Sequence, residues 1–179
     1  TYALAARVAT QPRMGLALTK QRGVKPENAA EGEKLLKQAF ELKKSDPDLA
    51  SYLAGWHMEE ARMLLSSPRP QETYKQAEAR IREAEDVYEQ LKAHLPEDSK
   101  QASTAWLYRG RFYLELRNLL WIRLEMFRRG TTMGSSEPEL LKQLDEADRK
   151  CLESLQQAAQ LNSSDDRILC SMGDYWAFK

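Results

Sequence analysis

The sequence is poor in the residues that build disulfide frameworks, metal knuckles and tight turns. Its two cysteines, Cys151 and Cys170, lie 19 residues apart in a chain of 179, which is neither a disulfide framework nor a zinc-knuckle spacing. They fit a reducing compartment such as the cytoplasm. There are two histidines, His57 and His94, and neither has a glutamate three residues before it, so the Glu-x-x-His pairs of a di-iron carboxylate site are missing. No metal and no cofactor is expected, and His57 reads as a surface or partly buried polar residue. Net charge is absent too: 27 basic residues balance 27 acidic ones, so no global field draws the chain to a phosphate backbone or an anionic membrane. In the most hydrophobic stretch the longest apolar run is Leu119 to Ile122, which Arg123 ends. No membrane span is expected.

Proline and glycine number 7 and 8, and they collect between long stretches of Ala, Leu, Glu, Lys, Gln and Arg, the strong helix formers. Residues 74 to 91 carry the cleanest pattern. There Tyr74, Ala77, Ile81, Ala84, Tyr88 and Leu91 recur every three or four positions with charges between them, the signature of a helix with one face in a core. Pro96 forbids its continuation, and Asp98 or Ser99 offers an oxygen to cap the next helix. The same signals predict about seven helices, at 2–20, 28–44, 48–65, 71–94, 99–129, 137–160 and 165–178. The connections are short except Gly130 to Pro138, which reads as a mobile linker. No segment shows the alternation of a half-buried strand. At this length one domain over residues 1–179 is the default. Because the first residue is Thr1, it is read as excised from a longer protein.

The segment 99–129 is apolar over most of its circumference, through Trp106, Phe112, Tyr113, Leu116, Leu120, Trp121, Ile122 and Leu124 among others. A helix of this kind is contacted on several sides, as in the central layer of a stack. Within it, Trp106-x3-Gly110-x2-Tyr113 resembles the first helix of a tetratricopeptide repeat, where a small residue lets the following helix approach. Leu169-x2-Met172-Gly173-x2-Trp176 is similar, and Ala54-Gly55-x2-Met58 is a weaker instance. Ala84, Tyr88, Leu91 and Pro96 follow the spacing of a second helix, as do the segments Gln157 to Ser163 and Lys37 to Leu42. The glycines at 55, 110 and 173 are 55 and 63 residues apart, above the roughly 34-residue period of the regular repeat, and Arg109 replaces its usual leucine. The chain thus resembles a divergent member with lengthened helices.

That resemblance implies an all-α fold of antiparallel hairpins stacked as a solenoid, with first helices lining a concave face that holds a peptide or a partner helix. Carried over from Gly55 and Gly110, the groove-facing positions are Tyr52, Trp56 and Glu59, and Leu107, Arg111 and Leu114, with Arg117 beyond them. The lysine-asparagine clamp of the family for a C-terminal carboxylate is missing at these places. Because the last family match ends the sequence, a continuation is expected.

Chemistry is scarce. Neither cysteine lies in a nucleophile motif, so both read as core packing. The glycines of Arg129 to Ser136 lack the lysine and spacing of a phosphate-binding loop, and acidic pairs such as Glu85-Asp86 alternate with basic residues on solvated helices. Neither an enzyme nor a small-molecule substrate is implied. Six arginines, at 109, 111, 117, 123, 128 and 129, face only Glu115 and Glu125 in their stretch. They are either a receptor for acidic peptide or nucleobases, or a solvated edge whose stems cover apolar surface. The leading expectation is a protein-protein interaction scaffold. Self-assembly with a second copy is the alternative, and RNA binding through Arg109 to Arg129 stands behind it.

Overall fold

The structure, a computed structural model, describes residues 26–66, 70–95, 97–130 and 136–177. Every regular element among them is an α-helix: α1 (Pro26–Leu42), α2 (Pro47–Leu65), α3 (Pro70–Ala93), α4 (Ser99–Arg128), α5 (Glu137–Leu161) and α6 (Asp166–Ala177). The helix expected at 2–20 and residues 131–135 of the expected mobile linker lie outside the described residues. No described helix is long and apolar enough to cross a membrane.

The helix boundaries follow from local chemistry. Three helices open on a proline, whose missing N–H and fixed φ suit the first helical position; this is why α1 starts at Pro26 rather than at 28. Its end also moves, to Leu42 instead of 44, because Lys43 to Asp46 form a turn whose carboxylate serves the next helix. Asp46 Oδ1 accepts from the amides of Asp48 at 3.0 Å and Leu49 at 3.3 Å, satisfying donors that the first turn of α2 leaves free. Asp98 does the same for α4, accepting from Gln101 N at 2.8 Å. Gly130, at φ +87°, stops α4 in the left-handed region that only glycine enters cheaply.

The chain divides into two compact units, each described by itself: residues up to Met63 with Glu78–Leu95, and Leu64–Ala77 with Pro96 onward. In the first, α2 and the later part of α3 run antiparallel, since His57 faces Glu83 and Glu60 faces Arg80. Leu36, Phe40, Leu53, Met58, Ile81, Tyr88 and Leu91 form its interior. In the second, partners of α4 fall from Ala158 to Glu137 as its own residues rise from Ser103 to Arg128, so α5 is antiparallel to it. Partners on α6 instead rise with α4, from Ser171 at Arg111 to Tyr175 at Arg117. Helices α4 and α6 are therefore parallel. The six apolar positions of the 74–91 pattern are all buried, and α4 is packed by α5 on one side and by α6 on another, as its apolar circumference required.

Candidate functional site

Three of the six arginines on or beside α4 are interior, which corrects the picture of a solvated edge. Arg109, Arg117 and Arg123 are buried. Arg109 donates to Ser154 Oγ at 2.7 Å, Ser154 in turn donates to the carbonyl of Lys150 at 2.6 Å, and the guanidinium lies over the rings of Trp106 and Tyr113. Arg111 uses the same relay on α6: it donates to Ser171 Oγ at 2.9 Å, and Ser171 to the carbonyl of Arg167 at 2.8 Å. Arg117 is ion-paired to Asp148 at 3.1 Å and lies over the ring of Tyr175, whose hydroxyl closes the triad on Asp148 at 3.0 Å. Arg123 donates to the hydroxyl of Tyr74. Burial pulls its pKa down to about 10 against the influence of Glu139, so it stays charged at neutral pH. A buried charge needs compensation: Arg117 has the carboxylate of Asp148, while Arg109 and Arg123 each have a hydroxyl acceptor and an aromatic ring face.

These contacts decide where the sequence-nominated surface lies. Leu107 is wholly buried, Arg117 is in the triad, Leu114 is half-buried, and Arg111 is exposed but tied to Ser171. Helix α6 meets this stripe of α4 through Ser171 and Tyr175. On α2, Tyr52 and Glu59 are exposed and Trp56 is buried. Glu59 stands 3.7 Å from Arg62. The two sets belong to different units.

The first unit holds a polar cluster that the sequence reading missed, because it joins three helices. His57 is not a surface residue: it is 1% exposed, with Nδ1 3.0 Å from Glu83 Oε2. Burial pushes its pKa down to about 4, opposed by Glu83 and Glu33. Ligand atoms of Glu33, His57 and Glu83 lie within 4.8 Å of one another, and these are the described residues able to hold a metal ion. A cation is already among them. Arg80 reaches Glu60 at 2.5 Å, Glu83 at 2.6 Å and Glu33 at 3.1 Å, and Lys37 reaches Glu33 at 2.6 Å. Burial raises the pKa of Glu33, but the bonds from Lys37 and Trp56 and the charge of Arg80 outweigh it and leave it lowered. The arrangement is an ion network around Arg80, and a divalent ion would have to displace that guanidinium.

While arginines occupy the interior, large apolar side chains stand in water. Trp121 and Ile122 on α4 and Leu169 and Trp176 on α6 are each more than half exposed. Cys170 is exposed as well, correcting its assignment to the core, whereas Cys151 is buried with Sγ 3.3 Å from the carbonyl of Gly110. Gly110 is the close-approach point its spacing implies: a Cβ there would lie 2.7 Å from Leu155 Cδ2. At Gly55 and Gly173 a Cβ would meet nothing within 4 Å, so those glycines permit no close approach to a described neighbour. Composition alone gave no signal for this exposure, since Leu169 and Trp176 sit at spacings that are buried in α4. Compared with protein-family models, with curated proteins and with solved structures, the chain has no match, and the resemblance to tetratricopeptide repeats rests on its own residues.

Proposed function

We propose that this chain is a non-enzymatic protein-interaction domain, a divergent tetratricopeptide-like scaffold that binds a peptide or helix of another protein through the unit containing α4, α5 and α6. One observation carries the reading: the unit buries three arginines, Arg109, Arg117 and Arg123, and exposes two of its three tryptophans, Trp121 and Trp176. Folding alone favours the reverse distribution, and exposed aromatic residues are the anchors that dominate binding energy at protein interfaces. The parallel pair α4 and α6, with α5 packed antiparallel through Gly110, is the local arrangement expected of a first helix, its second helix and the next first helix.

The surface is tested by replacement of its anchors. Trp121→Ser and Trp176→Ser in one chain are expected to weaken capture of partner protein from native extract by about thirtyfold, the equivalent of roughly 2 kcal/mol for lost interface anchors. The melting temperature should be unchanged. Undiminished capture would contradict the assignment.

Self-assembly is the alternative, and solution mass separates it: a monomer over a wide concentration range excludes obligate assembly. RNA binding loses support from burial, since Arg109, Arg117 and Arg123 are withdrawn from any nucleobase and Arg128 is paired with Glu137 at 2.8 Å.

A further inference from the structure

Two rows with one spacing have opposite surroundings. On α4 the row Trp106, Gly110, Tyr113 is covered: Leu155 of α5 sits over the glycine, and both aromatic residues are buried. On α6 the row Leu169, Gly173, Trp176 has the same offsets of four and three, yet it is open. A Cβ at Gly173 would meet nothing within 4 Å, Leu169 is 56% exposed and Trp176 54%, although Trp176 keeps an edge contact with Tyr175. Helix α6 is held to its unit by another face, through Ile168, Ser171 and Tyr175. The open row is thus not the side on which the helix docks.

Charge beside the row selects the occupant. Asp166, Cys170 and Asp174 follow each other at i, i+4 and i+8 next to Leu169 and Gly173, and all three are exposed. Neither aspartate has an ion-pair partner among the described residues, because Arg167 is committed to Asp165 through contacts of 2.7 and 3.0 Å. Two copies joined through this row would set four carboxylates along one seam, and like charges at that distance repel. A foreign helix with a basic edge meets the opposite field.

We propose that Leu169, Gly173 and Trp176 form a seat for an amphipathic helix of a partner protein, one that places a leucine over Gly173 and lysine or arginine along Asp166 and Asp174. The template is the contact of Leu155 with Gly110 in the same unit, with the charge pattern of α6 added. This rests on the reading of the chain as an interaction domain and names the partner of that domain.

The probe is a synthetic helical peptide of about 20 residues, long enough to hold a helix, with leucines every third or fourth position, lysines along one flank and a fluorescent label. Titrated with the full chain at about 50 mM salt, where surface charge is weakly screened, it is expected to bind saturably. Gly173→Leu, which fills the close-approach point, and Trp176→Ala are each expected to weaken binding at least about tenfold, the equivalent of about 1.4 kcal/mol. Gln156→Ser, at an exposed position on α5, is expected to leave it unchanged. A matched peptide with glutamates in place of the lysines is expected to bind at least about tenfold more weakly. No binding of the lysine peptide, equal binding of the glutamate peptide, or indifference to both α6 variants would each overturn the seat, as would a solution dimer abolished by Gly173→Leu, which would assign the row to a second copy. Because Trp121 lies outside the row, a chain that fails here but still loses partner capture on Trp121→Ser would refute the seat and leave the interaction domain standing.

Discussion

Gly55 and Gly110 occupy matching places in two copies of one spacing, and their surroundings set opposite outcomes for the same substitution. Gly110→Ala forces a methyl against Leu155, a fully buried side chain. Overpacking costs about 1–3 kcal/mol, and the better helix propensity of alanine returns about 1 kcal/mol, so a net loss of about 1 kcal/mol is expected in denaturant unfolding. Gly55→Ala adds its methyl to open space on an exposed helical face and is expected to stabilise by up to about 1 kcal/mol. The two cysteines separate as cleanly. Burial pushes the Cys151 thiol up to about 12, while Cys170 is exposed, so the thiolate-dependent reaction with a disulfide reagent should modify one thiol per native chain and the second only on unfolding.

His57 adds a pH dependence whose sign is set by its burial. Its folded pKa, about 4, lies below the ordinary value near 6.5, so the unfolded chain binds the proton first as pH falls. The stability that the neutral ring contributes is fully present above pH 6.5 and is lost between about 6.5 and 4, on the order of 3 kcal/mol in total. Denaturant unfolding of the wild type should show that decline, and His57→Gln should flatten it above pH 5. A profile identical in the two proteins would mean that another group carries it.

At the scale of the helix, capping and periodicity were legible and burial of charge was not. The six described helices lie within two residues of their expected bounds, because Pro47, Asp98 and Gly130 act through the backbone next to them. The arginines of α4 were misplaced because their partners, Ser154, Asp148 and Tyr74, are distant in sequence, and no local pattern distinguishes an arginine facing water from one meeting a carboxylate on another helix. Asp148 joins α4 to α6 through Arg117 and Tyr175. Asp148→Asn removes the charge that compensates a buried guanidinium. Fully buried pairs cost about 3–5 kcal/mol when broken; since Asp148 is 27% exposed, a loss of roughly 2 kcal/mol is expected, accompanied by faster amide exchange in α6. Unchanged exchange there would show that α6 is held by its apolar face alone.

For the whole molecule, composition and periodicity pointed to helices, every described element is one, and the spacing of Trp106, Gly110 and Tyr113 located a close approach of α5 to α4. Of the nominated groove, Tyr52 and Glu59 on α2 are exposed, whereas the stretch from Leu107 to Arg117 on α4 is largely occupied by packing within its unit, whose exposed tryptophans lie at Trp121 and Trp176. The reason is topological: a row of identical spacing is core when a helix covers it, as on α4, and surface when no described helix does, as on α6. Partner binding through this surface is the central claim, and site-specific photo-crosslinking tests it most directly. A photoreactive residue at Trp121 or Trp176 in the intact chain, incubated in native extract, should yield a discrete adduct, whereas the same residue at exposed Gln156 on α5 should not. Adducts absent from both tryptophan positions, or equally abundant at Gln156, would contradict the account.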